Sequence, residues 1–179
     1  MGRINVNPIW GKIWKLSCPT KVKICIWRTP HGILPCRVTL ANRHLKVMPI
    51  CPSCSRREDT NHMLFLCQKA KEVWRKLGLD EVINKACVME RAGEAVLEFL
   101  LLMPDHDVAI LGIQKAHELI AITAWYLWWD RRRLVLEGKF QDAQQTSMGI
   151  RAIAANFVNA FSPNVVSKRV AWTRPPWVL

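Results

Sequence analysis

Acidic residues are scarce in the first part of this 179-residue chain. Residues 1–79 hold 15 Lys and Arg against 3 Asp and Glu, while residues 80–179 hold 11 of each, so the whole net charge of +12 lies in the first segment. Catalysis of nucleotide addition or strand cleavage needs clustered carboxylates around two divalent ions, and no such cluster is present. Glu58-Asp59 and Asp80-Glu81 are only sequence neighbours, and Asp105-His106-Asp107 reads as a helix cap with favourable dipole charges, not a metal site. No Ser/His/Asp or Cys/His set stands out, and the glycines make no phosphate loop. These gaps point away from an enzyme and from a small-molecule substrate. Long apolar runs are missing too: the greasiest, residues 95–103, contains Glu98 and is too short to span a bilayer. The start, MGRINVNPIW, lacks the apolar core of a signal peptide. A soluble intracellular protein, nuclear or cytoplasmic and not secreted, is expected, with no membrane partner.

Apolar residues make up half the composition, enough for a packed core. Seven cysteines in a reducing compartment argue against a disulfide framework, and an odd number leaves one unpaired in any case. Helical spacing recurs along the chain. Residues 8–16 place Ile9, Trp10, Ile13 and Trp14 on one inward face. Residues 21–27 fit a strand or a short helix equally, and residues 35–44 and 70–77 read as helices. Residues 79–104 read as one or two helices, and a composition change near Gly78 marks a boundary. Residues 108–138 contain no proline and only Gly112 inside the run that Gly138 ends, which predicts a single long helix starting at Asp105-His106-Asp107. Its apolar residues cover more than one face, so partners in this chain or another must wrap it. Residues 141–161 predict a further helix, and two prolines extend the tail. The expected fold is mainly α with few or no strands: a small helical domain, held together by the ligand cluster of residues 51–67, followed by long amphipathic helices.

The densest chemistry is CPSCSRREDTNHMLFLC, residues 51–67. Cys51-x2-Cys54 and His62-x4-Cys67 offer two ligand pairs, and Zn²⁺ takes thiolates and imidazole in a tetrahedron closed by four protein ligands. The alternative is that Cys54 and Cys67 fill a core as small hydrophobes while His62 caps a helix. Two pairs this close favour zinc. On a regular helix five steps of about 100° leave His62 and Cys67 about 140° apart, so a helix should start near His62 and break or distort at Cys67. Three thiolates leave the site at about −1, which Arg56 and Arg57 in the intervening loop could offset. Cys18, Cys25, Cys36 and Cys87 read as core or surface thiols.

The pattern resembles the zinc-binding domain that follows the reverse transcriptase in plant LINE-type (non-LTR) retroelements. The resemblance rests on Trp10, Ile13-Trp14-Lys15-Leu16, Pro19, Lys21-Val22-Lys23-Ile24, Trp27-Arg28, Leu34-Pro35, Leu40, Arg43, Cys51-Pro52-x-Cys54, Glu58, His62, Cys67 and Trp74. Thr20, Cys25, Ser55 and Gln68 depart from the usual Pro, aromatic, Gly and Pro at those positions. Residues 124–132 resemble the helix that leads to an RNase-H-like domain, and residues 172–176 the segment before that domain's first strand. The implied organisation is a zinc-binding domain over 1–79, a helical appendage over 80–170 and an extended tail over 171–179.

The expected function is a non-catalytic zinc module that binds RNA or DNA through phosphate contacts. Each phosphate neutralised by Lys or Arg releases condensed counterions, and the contacts would come from Lys12, Lys15, Lys21, Lys23, Arg28, Arg37, Arg43, Arg56 and Arg57. Exposed aromatics could stack on bases, but Trp10, Trp14, Trp27 and Trp74 sit beside aliphatics at helical spacing and read as core. The competing expectations are an interaction scaffold, in which the Trp-rich stretch 108–138 docks on a protein partner or on itself, and a decayed retroelement fragment. Arg131-Arg132-Arg133 reads as a solvated helix end.

Overall fold

A computed structural model of the chain describes residues 7–104 and 115–160. It is mainly helical. In chain order run α1 (Ile9–Lys15), α2 (Thr20–Arg28), α3 (Arg37–Asn42), a π turn (His62–Leu66), α4 (Gln68–Lys76), α5 (Asp80–Met89), α6 (Gly93–Leu102), α7 (Ala116–Glu137) and α8 (Ala143–Ala160). No strand occurs among the described residues, only an isolated antiparallel bridge between Ile50 and Arg57.

The segment 21–27 resolves as helix because Val22, Cys25 and Ile26 recur at three- and four-residue intervals and are all buried. The stretch 79–104 divides into α5 and α6. A Schellman cap ends α4: Gly78 adopts φ +74°, and the N–H groups of Gly78 and Leu79 donate to the carbonyls of Arg75 and Trp74. The long helix begins later than its sequence predicts. Lys115 lies in the left-handed region at φ 54°, which an α-helix cannot continue through, so α7 starts at Ala116. Residues 105–114, which include the expected Asp105-His106-Asp107 cap, lie outside the described residues, as does the tail beyond residue 160.

The wrapping that α7 requires comes from this chain. Ile120, Ala121, Ile122, Ala124, Trp125, Tyr126 and Leu127 are buried, with α2, α6, α8 and the π turn packed around them. The same continuous core takes in Ile9 and Ile13 of α1, Val22 and Ile26 of α2, Phe65 of the π turn, Trp74 of α4, Leu97 and Leu100 of α6 and Ile150 of α8. The core therefore runs on past residue 79, and α1 itself packs on α6. Trp14 departs from its expected inward position: it is 51% exposed, because Ile9 and Ile13 already fill the inner face of a helix only two turns long. Among the described residues no helix is long and apolar enough to cross a membrane.

Candidate metal centre

The first ligand pair is held by a tight hairpin. The Ile50–Arg57 bridge closes its base, Cys51 N–H donates to the Arg56 carbonyl at 2.7 Å, and Ser55 N–H donates to the Cys51 carbonyl at 2.9 Å. The chain can double back this sharply because Ser55 takes φ 59°, a conformation that favours glycine. Backbone N–H groups converge on the sulfurs. Ser53 N–H points at Cys51 Sγ at 3.4 Å, with Cys54 N–H also bonded to it, and Lys69 N–H bonds to Cys67.

The second pair is brought together by the π turn. A regular α-helix would set His62 and Cys67 on different faces, but Cys67 N–H donates to the His62 carbonyl at 2.8 Å, an i→i+5 bond. With about 4.4 residues per π turn, five steps leave the two side chains only about 50° apart. The widened turn is supported from both ends. Asp59 Oδ1 accepts from His62 N–H at 2.7 Å. At the other end the buried indole Nε1–H of Trp74 donates to the Leu64 carbonyl at 2.7 Å. Gly93 presses α6 onto this segment, since a Cβ there would lie 2.4 Å from the Asn61 nitrogen.

The four ligand atoms meet at one point. Cys51 Sγ and Cys67 Sγ are 3.8 Å apart, Cys54 Sγ and Cys67 Sγ 4.0 Å, and His62 Nε2 and Cys54 Sγ 3.1 Å. All four lie within 4.8 Å of one another. A tetrahedron with Zn–S bonds of about 2.3 Å has edges of about 3.8 Å, so the spacing and the soft donor set both fit Zn²⁺. The two thiols are coupled: the hydrogen bond from Cys51 pulls Cys67 down to about 7, and the same bond, with burial, pushes Cys51 up to about 12. Bound zinc would cross-link the hairpin to the π turn, and its dipositive charge favours loss of the remaining protons. Four protein ligands leave no open position for a reacting water.

Around the site, α7 is tied to the ligand loop by buried charge. Glu58, fully buried, receives Arg131 Nη2 at 2.5 Å and Nε at 3.1 Å, and also accepts the backbone N–H of Arg37 at the start of α3. Lys69, two residues beyond the last ligand, pairs with the buried Asp130. The space left between the ligand loop and α7 is about 20 Å³, room for one water. The reading of Arg131-Arg132-Arg133 as a solvated helix end is corrected here: Arg131 is sequestered by Glu58, and the Arg133 guanidinium lies 4.8 Å from the centre of the Trp129 ring. Sequence reasoning missed both ion pairs. Their partners are 61 and 73 residues apart, and only the charge of two residues inside an apolar helix hinted at them.

The basic residues singled out in the sequence fall into two groups. Lys15, Lys21 and Arg28 are exposed on α1 and α2, with Lys12 and Lys23 half-buried beside them; Arg43 is exposed at the end of α3, and Arg56 and Arg57 in the ligand hairpin. Lys21 lies over the Trp125 ring at 4.6 Å, and Lys23 Nζ donates to the Trp14 carbonyl at 2.9 Å. Arg37 is half-buried with its Nε shut off from solvent. The sulfurs take their hydrogen bonds from backbone N–H groups, while Arg56 and Arg57 face solvent. Cys18, Cys25 and Cys36 are buried free thiols, and Cys87 is a half-buried one.

No curated protein and no solved structure matches the chain. Residues 1–74, a span that contains all four converging ligands, match the family model described as zinc-binding in reverse transcriptase, and in this part the chain is similar to that family.

Proposed function

We propose that the protein is a non-catalytic, zinc-stabilised module of LINE-type retroelement origin that binds RNA or DNA through its basic N-terminal segment. The observation that carries the reading is the joint one of charge and metal: the segment holding the net +12 is also the segment that contains the four converging ligands. Zinc fixes the fold, and lysines and arginines on its surface neutralise phosphates. The matched family covers a zinc-binding domain and not a catalytic one, in keeping with this role.

Two measurements test it. Protein purified without chelator should contain one zinc by mass spectrometry, and Cys54→Ser and His62→Ala should lose it. Titration with RNA and DNA at two salt concentrations should show affinity falling with salt, by a slope of about −0.7 per phosphate contacted on a single strand. Affinity indifferent to salt, or metal-free protein that is fully folded, would sink the proposal. The scaffold alternative would have to use what stays outside at the C-terminal end of α7, Leu136 at 65% exposure and Phe140 just beyond the helix at 63%, since Trp125 and Tyr126 are already covered. Light scattering of the Leu136→Glu variant separates the two: loss of an oligomer with nucleic-acid binding intact favours a separate docking face.

A further inference from the structure

We infer that Trp14 is a stacking platform for an unpaired base, so that the α1–α2 face takes single-stranded nucleic acid in preference to duplex. The inference rests on the nucleic-acid reading above and adds the kind of strand and the residue that selects it. Three observations carry it.

The first is exposure. Trp74 is buried, and Trp10 and Trp27 are half-covered and flank His31, with ring centroids 4.7 and 4.3 Å away. Trp14 alone of the four is more than half exposed, which leaves on the order of 100 Å² of a large apolar ring in water. The second is charge. Residues 9–28 contain Lys12, Lys15, Lys21, Lys23 and Arg28 and no Asp or Glu. The Lys23 ammonium is bonded to the Trp14 backbone carbonyl, and Lys15 is exposed one residue further on, so both helices bring positive charge to the segment that carries the indole. A polyanion carrying flat apolar groups complements that surface; an acidic peptide would meet the charge but leave the ring unused.

The third is Gly11. A helical side chain leans over the turn that precedes its own Cα, so Trp14 lies toward position 11, one turn back on the same exposed stripe. Glycine weakens a helix interior, and nothing local requires it here: a Cβ at position 11 would meet nothing within 4 Å. Gly11 and Trp14 are both exposed, so the missing side chain leaves open space on the same side of α1 that carries the indole.

The test uses the full-length zinc-loaded chain with labelled oligouridylate, oligothymidylate and a duplex of equal length. Wild type should bind both single strands more tightly than duplex. Trp14→Ala should weaken single-strand binding about tenfold or more while leaving duplex binding unchanged, and Trp14→Phe should retain most of it. Gly11→Leu, which has room in the fold, should cover the ring and mimic Trp14→Ala without loss of zinc. A loss confined to one of the two single strands still supports the platform and says whether it takes RNA or DNA. Single-strand affinity unchanged in Trp14→Ala overturns the stacking role while the phosphate-binding reading stands. Equal losses for duplex and single strand overturn it as well, because the residue would then act through the fold. A wild-type protein that binds none of the probes removes both.

Discussion

Ser55 holds a left-handed conformation at the mouth of the metal site, which costs an L-residue about 1–2 kcal/mol. Ser55→Gly should therefore stabilise the folded protein, by about 0.5–1 kcal/mol after the extra entropy of glycine is offset, measured as a shift of the denaturation midpoint with zinc content unchanged. Trp74 works in the opposite sense. Trp74→Phe keeps most of the buried ring but removes the donor to the Leu64 carbonyl, leaving that acceptor unpaired in the core. The cost should be about 1–3 kcal/mol, with weaker zinc retention in a chelator competition. The buried thiols set an alkaline limit. Burial pushes Cys18 up to about 11 and Cys25 up to about 12 from 9.0. Because their folded-state values lie above the unfolded one, stability is intact below about pH 9 and declines as pH rises through 11 and 12. The slope should be at most about 1.4 kcal/mol per pH unit for each thiol. Equilibrium denaturation at stepped pH should show that decline, and Cys25→Ala should make it shallower.

At the scale of elements, the question is what joins α7 to the zinc lobe. Apolar burial supplies the bulk, but Glu58–Arg131 and Lys69–Asp130 fix how the helix sits, because a buried carboxylate tolerates no misplaced partner. Arg131→Met should cost about 3–5 kcal/mol by stranding Glu58, and adding Glu58→Gln should recover part of it. A double-mutant cycle in denaturant reads the coupling directly; purely additive costs would show that the pair does not act as a unit. The π turn was half legible beforehand. The x4 spacing of His62 and Cys67 demanded a distortion, since a regular helix separates them. That the distortion would be a widened turn, with its carbonyl satisfied by an indole ten residues on, depended on where α4 packs.

For the whole molecule, metal removal is the strongest perturbation. Structural zinc in small domains is worth about 10–16 kcal/mol of apparent binding energy, comparable with the entire stability of a typical domain. Chelation should therefore unfold the N-terminal segment and loosen α7, seen as loss of helical circular dichroism and increased tryptophan exposure; retention of both would show that the core stands without the ion.

The sequence by itself determined the ligand set, the mainly helical class and the confinement of charge to residues 1–79, because ligand chemistry, helical period and charge are properties of neighbours along the chain. Only the tertiary structure decided which aromatic faces water, which helix wraps α7, and that Glu58 and Arg131 meet. Burial and ion pairing depend on surfaces brought together from distant segments, and a short helix such as α1 can bury only part of what its pattern offers: Ile9 and Ile13 went inside, and Trp14 was left out.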